Sequence, residues 1–166
     1  MFKKMSYQKF DEIEEETLFE RMADFINSQV EIEPYEFVPE KVTALPEVPR
    51  NVFFVWWLYC EVGGNGFESY LLQQSGKDAP GAHAGLKAMG ATSLLEWLEA
   101  AIPISMEWEP DYTESDDLSW FRKFPQNPKF PTIETIDSQE MYAEVGDPLM
   151  FKAIEYIMAN KNELVE

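Results

Sequence analysis

The spacing of apolar residues predicts a helical beginning to the chain. Over residues 6–30 apolar side chains recur every three or four positions, as on one buried helix face. Ser6 is a suitable N-cap, and the acids that follow it suit the positive end of the helix dipole. We therefore expect one amphipathic helix over 6–30, with its buried stripe formed by Phe10, Ile13, Leu18, Met22, Phe25, Ile26 and Gln29.

Prolines and glycines divide the middle of the chain. Four prolines within 33–49 forbid a long helix there and leave room for a single turn near 40–45. Pro49 suits the first turn of a helix that runs to about Val62 and is apolar on all sides, which indicates burial on most faces. Gly63, Gly64 and Gly66 are expected to end this helix in a tight turn.

The remaining pattern predicts further helices and one extended segment. Short helices are expected over 67–74, 79–89 and 92–102, of which the second ends at Gly90 and the third at Pro103. Prolines make 122–132 an extended surface linker. The chain closes with helices over 138–145 and 147–160, the latter capped by Asp147 with Pro148 at N1. No strand pair or repeat is visible, so the predicted fold is all-α.

The length of 166 residues fits one compact multi-helix domain with proline-rich and acidic loops. Within it we distinguish an N-terminal acidic helix and proline-rich connector (1–44) and a helical core (45–102). An acidic, proline-rich loop region (103–135) and C-terminal helices (136–166) follow.

Composition excludes several classes of protein. The longest apolar run, Val52–Cys60, has nine residues, whereas a membrane-spanning helix needs about 20. The start of the chain lacks the apolar region of a secretory signal. A lone Cys60 rules out an intramolecular disulfide framework. We therefore expect a cytoplasmic protein without a membrane segment.

The net charge of −18 is unevenly distributed. Residues 11–47 carry twelve acids against two bases, and residues 88–121 carry eight acids and no base, while the segment between them is neutral. Such a surface would repel phosphates, so direct nucleic-acid binding is not expected. The two acidic segments either form one continuous negative surface or are merely solvated flanks of the core.

Residues for catalysis or metal binding are scarce. One histidine and one cysteine cannot form a His/Cys metal site, and no cofactor motif is present. His83 lies among small residues and is interpreted as structural, and Cys60 is expected to be buried and inert. The acidic stretch 107–117 lacks the spacing of a calcium loop. The sequence gives no positive case for an enzyme.

The central segment contains a recognisable motif. It reads E-V-G-G-N-G-F-E-S-Y-L from Glu61 and is followed by Gly85–Ala91 and by a last helix that ends at Ile154–Asn160. These residues resemble a bacterial family of acidic helical proteins named for a DNA-mimic protein. Its N-N-G-G-F is G-G-N-G-F here, and Gln73 or Gln74 stands where the family has Asn. The motif is interpreted as structural, with Gly63, Gly64, Gly66, Phe67, Tyr70 and Gly90 setting a helix–turn–helix corner.

The resemblance implies an all-α fold, a homodimer, and an acidic face that occupies the DNA-binding surface of a transcription factor or another basic protein. Acids four residues apart on a helix lie roughly 5–6 Å apart, and duplex DNA carries one charge per ~1.7 Å of axis. A dense carboxylate face can therefore satisfy the same Lys and Arg side chains. The residues expected to form it are Asp11, Glu14, Glu15, Glu16, Glu107, Glu109, Asp111, Glu114, Asp116 and Asp117.

Two other functions remain open at this stage, as does an acidic domain whose charge has no specific role. The same charge would suit an immunity-type inhibitor that caps a basic nuclease toxin. An enzyme or small-ligand binder would instead need a pocket near Trp56, Tyr59, Phe67 and Tyr70, where a buried aromatic core is the simpler interpretation.

Overall fold

The computed structural model describes residues 2–30, 39–72, 74–108 and 118–166, and these ranges confirm the all-α prediction. Within them the β-structure is limited to one isolated parallel bridge between Met5 and Val165. Two 3₁₀ turns lie at Glu15–Thr17 and Gln74–Asp78. The helices are α1 (Tyr7–Asp11), α2 (Leu18–Val30), α3 (Pro39–Thr43), α4 (Glu47–Leu72), α5 (Ala79–Ala88), α6 (Thr92–Trp108), α7 (Leu118–Phe121), α8 (Ile133–Ile136), α9 (Gln139–Val145), α10 (Asp147–Ala159) and α11 (Lys161–Leu164).

The first predicted helix is interrupted. Ser6 caps α1 by accepting the Lys9 N–H at 3.4 Å, as expected, but α1 ends at Asp11 and α2 begins only at Leu18. Glu14 between them has extended backbone (φ −67°, ψ 140°). Successive carboxylates repel one another when helix geometry stacks them three and four residues apart, and a break relieves that repulsion. The predicted continuous helix over 6–30 was therefore wrong, although Phe10, Leu18, Met22 and Ile26 are buried.

Helix α4 is longer than predicted because two of its glycines remain helical. It starts at Glu47, holds Pro49 in its first turn, and continues through Gly63 and Gly64. Only Gly66 leaves the helical conformation, with φ 79° and ψ 175°, and helix resumes immediately after it. Glycine lowers helix stability by only about 1 kcal/mol relative to Ala, which the packing of so buried a helix outweighs. The corner thus consists of one residue rather than a glycine-rich turn.

Pro103 does not end α6, contrary to the prediction. The helix runs on to Trp108 with Pro103 in its interior, so the Glu99 carbonyl lacks its usual N–H donor. On both sides of the proline the helix buries apolar side chains, among them Ala101, Ile102 and Ile104. The stabilisation gained by burying this face outweighs the loss of one backbone hydrogen bond.

Helix α4 forms the centre of the fold. It packs against α2, α5, α6, α9 and α10, and Val52, Val55, Leu58, Phe67 and Tyr70 on it are fully buried. The predicted helices corresponding to α5, α9 and α10 are confirmed, and Ser138 caps α9 by accepting the Met141 N–H at 3.3 Å. Helix α10 includes Asp147 as its first residue and has Gly146 at the N-cap position without a side-chain capping hydrogen bond, so the prediction that Asp147 caps it was wrong. Across the described ranges, no helix combines the length and the apolar character that crossing a membrane requires.

Candidate functional site

Three carboxylates of α2 and α4 act electrostatically on one cysteine, Cys60. Glu20 and Asp24 lie four residues apart on α2, which places them one turn apart on the same side, and both are exposed. Glu61 lies on α4, next in sequence to Cys60, and α2 packs against α4. We call Glu20, Asp24 and Glu61 the α2–α4 acidic surface.

The pKa of the Cys60 thiol is sensitive to the charges of this surface. Desolvation of the thiol, followed by the charges of Glu61, Glu20 and Asp24, raises the pKa of Cys60 to about 11. Cys60 is an exposed side chain, so the expectation of a buried cysteine was wrong. Its helix is buried on most faces but leaves this position open. Since an ordinary thiol is already protonated at neutral pH, the raised pKa of Cys60 extends the protonated, less nucleophilic form to more alkaline pH.

The predicted acids of the N-terminal segment are all exposed, but they are not equivalent. Glu14, Glu15 and Glu16 directly precede α2. Asp11 accepts a hydrogen bond from the Lys161 Nζ at 2.8 Å, and that ammonium also lies 4.4 Å from the centre of the Phe10 ring. The charge of Asp11 is therefore partly compensated within the protein.

The second predicted acidic segment is described only at its start. Glu107 is exposed near the end of α6 and accepts a hydrogen bond from the Gln126 side-chain amide. Helix α6 packs against α4, α5, α8 and α9, whereas α2 packs against α4 and α10. The other predicted residues of this segment lie outside the described residues: Glu109, Asp111, Glu114, Asp116 and Asp117.

The His83 side chain takes part in packing between helices. Its Nε2 lies 2.8 Å from the Glu99 Oε1, and its ring contacts Trp120 and Phe124 with centroid distances of 5.5 and 5.4 Å. The side chain therefore links α5, α6 and the region of α7. An open cleft of about 290 Å³ lies beside it, lined by Glu96, Glu99 and residues 124–128 but not by His83 itself.

The aromatic side chains proposed for a ligand pocket are engaged in packing. Phe67 and Tyr70 are fully buried. Trp56 stacks on Tyr59 at 5.3 Å between ring centroids, and both rings contact Phe19. Within the described residues, no group of three or more His, Cys, Asp or Glu side chains could hold a metal ion.

The glycine corner of the motif contacts Asp137, which lies in a distant part of the chain. A Cβ at Gly66 would lie 2.4 Å from the Asp137 Oδ2 and 2.8 Å from the Tyr142 hydroxyl. The Asp137 carboxylate in turn accepts the backbone N–H groups of Phe67 at 2.8 Å and Glu68 at 3.5 Å. Gly66 is therefore required both for its positive φ and for the space that Asp137 and Tyr142 occupy. Gly90, the other positive-φ glycine of the motif set, ends α5 at φ 67°.

The fold and the motif together define a class of protein: an acidic, all-α protein with a glycine corner of this form. The family model of DMP19-like proteins matches residues 43–160, more than two thirds of the chain, from before α4 to the end of α10. The chain therefore belongs to the DMP19-like family, which is named for a DNA-mimic protein, and the resemblance found in the sequence is confirmed. No curated protein and no solved structure matches the chain.

Sequence reasoning missed Glu20, Asp24 and Glu61 as parts of a charged surface. The spacing of Glu20 and Asp24 by four residues was visible in the sequence, but these acids fell within a predicted amphipathic helix and looked like ordinary solvated positions. Glu61 was assigned only to the family motif. Their association depends on how α2 packs on α4, which no sequence pattern specifies.

Proposed function

We propose that this protein is a non-enzymatic binding protein that presents its acidic side to a basic, DNA-binding protein and occupies the surface where that partner would hold DNA. The observation that carries the proposal is that carboxylates of two packed helices act on one thiol: after desolvation, the charges of Glu61, Glu20 and Asp24 contribute to raising the pKa of Cys60 to about 11. Membership of the DMP19-like family supports the same class of function.

The chemistry of the surface fits basic side chains. Exposed carboxylates at one-turn spacing on α2, together with the half-buried Glu61 on the neighbouring α4, offer several hydrogen-bond acceptors of one sign. Arg and Lys side chains that bind phosphates would form charge-assisted hydrogen bonds with them in the same way. A carboxylate surface resembles the phosphates of DNA but has no equivalent of the bases. It would therefore engage the partner's phosphate-binding side chains and not those that read the DNA sequence.

We extend this surface toward the start of the chain. Glu14, Glu15 and Glu16 continue the negative charge directly ahead of α2, and the overall net charge of −18 supplies a long-range field of the same sign. In this proposal Asp11 contributes less, because Lys161 already compensates part of its charge. Glu107 and the acids that follow it form a second part of the predicted face.

A capture experiment with matched variants tests the proposal. The tagged protein is incubated with lysate of its source organism, and bound proteins are eluted either with a salt gradient or with duplex DNA. We expect one stoichiometric basic protein that both eluents release, because salt and DNA compete with the same contacts.

Two charge-reversed variants distinguish a specific surface from general polyanion behaviour. Glu20→Lys combined with Glu61→Lys reverses two of the three charges of the α2–α4 acidic surface and should abolish capture. Glu140→Lys combined with Glu155→Lys makes the same change in net charge at exposed positions of α9 and α10 and should retain it. Equal loss in both double variants would contradict the proposed site. Capture of a basic nuclease would instead indicate an immunity-type inhibitor.

A further inference from the structure

The carboxyl group of Asp78 is buried at the joint between α4 and α5. Asp78 is the last residue of the 3₁₀ turn Gln74–Asp78 and directly precedes α5, and only 1% of the residue is exposed. Both of its carboxyl oxygens are buried without a hydrogen-bond partner. The residue occupies the N-cap position of α5, but its side chain makes no capping hydrogen bond.

Burial and the charge of Glu61 oppose the ionisation of Asp78, whereas the charge of Lys77 favours it. The turn packs against α4 and α5, and α4 contributes the charge of Glu61, whereas the turn itself contributes Lys77. The titratable residues of α5 are His83, whose ring bonds Glu99, and Lys87. Burial, followed by the charge of Glu61, raises the pKa of Asp78 to about 8, while the charge of Lys77 acts in the opposite direction.

We propose that Asp78 is a proton-dependent latch, which holds the turn Gln74–Asp78 and the start of α5 against α4 while its carboxyl group is protonated and weakens as the pH rises. A neutral carboxyl group can remain in this apolar joint, whereas a carboxylate without a partner is costly to bury. Local opening of a short turn is a cheaper way to hydrate the charge than unfolding of the whole protein. The latch depends on no partner, so it can succeed or fail independently of the proposed function.

The direction of the pH dependence follows from proton linkage. In the open state the carboxyl group is hydrated and ionises near its ordinary pKa, while in the closed state it retains its proton until about pH 8. The closed state therefore binds more protons over this interval, and its stability falls as the pH rises. Above the pKa of the closed state both states are ionised, so the stability should level off.

Hydrogen exchange of the full-length protein between pH 5 and 9.5 measures the latch. The protection factor, which is the intrinsic amide exchange rate at each pH divided by the observed rate, is followed in peptides covering residues 74–88. We expect it to fall by up to about tenfold per pH unit below pH 8, as for one released proton, and to level off above that pH. A protection factor that does not change with pH would overturn the proposal.

Variants assign the effect to Asp78. Asp78→Asn should give a protection factor independent of pH, whereas Asp147→Asn, an exposed acid at the start of α10, should behave like the unmodified protein. If Asp78→Asn does not fold, two neighbouring changes keep the test decisive. Glu61→Gln should move the levelling point to lower pH and Lys77→Met to higher pH, because the two charges act on Asp78 with opposite sign. Unshifted levelling points in both variants would overturn the latch.

Discussion

The carboxylate of Asp137 accepts the backbone N–H of Phe67 at 2.8 Å, and this bond joins residues that are 70 positions apart in the sequence. Gly66 interrupts α4 just before Phe67, which leaves the N–H groups of the resumed helix without intrahelical partners. Asp137 supplies the acceptor that an N-cap residue normally provides from within the helix itself. The family motif therefore encodes half of a contact whose other half follows α8.

Removal of the Asp137 carboxylate should destabilise the protein. We expect Asp137→Ala to lower the free energy of unfolding by about 1–2 kcal/mol, because two backbone N–H groups near the start of a helix segment lose their acceptor. Asp137→Asn keeps one side-chain oxygen and should cost less. Urea denaturation followed by circular dichroism measures both variants. Equal stability of the Ala variant and the unmodified protein would contradict the capping role.

Substitutions at two glycines of the motif should have opposite effects. Gly66→Ala should lower the free energy of unfolding by about 2–3 kcal/mol, because its φ of 79° disfavours an L side chain and the added Cβ would meet Asp137. Gly64 is helical, and nothing lies within 4 Å of a Cβ at that position. Gly64→Ala should therefore increase stability by up to about 1 kcal/mol. The same denaturation assay compares the two variants.

The rate of alkylation of Cys60 should increase when negative charge is removed from the α2–α4 acidic surface. With a pKa of about 11, the thiol should react slowly with iodoacetamide at pH 7, and the rate should rise about tenfold per pH unit up to pH 10. Glu61→Gln and Glu20→Gln should each accelerate the reaction at pH 8, whereas Glu140→Gln, on α9, should not. Rates that do not differ among these variants would show that the carboxylates do not act on the thiol.

Replacement of Pro103 should stabilise α6. Pro103→Ala restores an N–H donor for the Glu99 carbonyl and removes the proline ring from the helix interior. We expect the free energy of unfolding to rise by about 1 kcal/mol, since proline in a helix interior costs up to about 3 kcal/mol and the surrounding packing already absorbs part of that cost. A lower thermal midpoint for this variant would indicate that the proline ring packs better than Ala in the native helix.

The sequence predicted the helical class and most helices, because apolar periodicity, caps such as Ser6 and Ser138, and proline positions act locally. It failed at Gly63 and Pro103, where residues with low helix propensity lie in segments that tertiary burial keeps helical. It also failed between Asp11 and Leu18, where a run of carboxylates interrupts a correct apolar stripe.

The candidate site was only partly predictable for a related reason. Exposed acids such as Glu14 follow from local composition, but the association of Glu61 with Glu20 depends on how two helices pack. The exposure of Cys60 likewise depends on which side of α4 remains uncovered. Local patterns carry no information on either relationship.

Competition with DNA tests the central claim most directly. A basic partner obtained by capture is saturated with fluorescently labelled duplex DNA, and this protein is titrated in at several salt concentrations. We predict stoichiometric displacement of the DNA, which weakens as salt rises and is lost in the Glu20→Lys/Glu61→Lys variant but kept in the Glu140→Lys/Glu155→Lys variant. A ternary complex in which the partner holds DNA and this protein together would contradict the account.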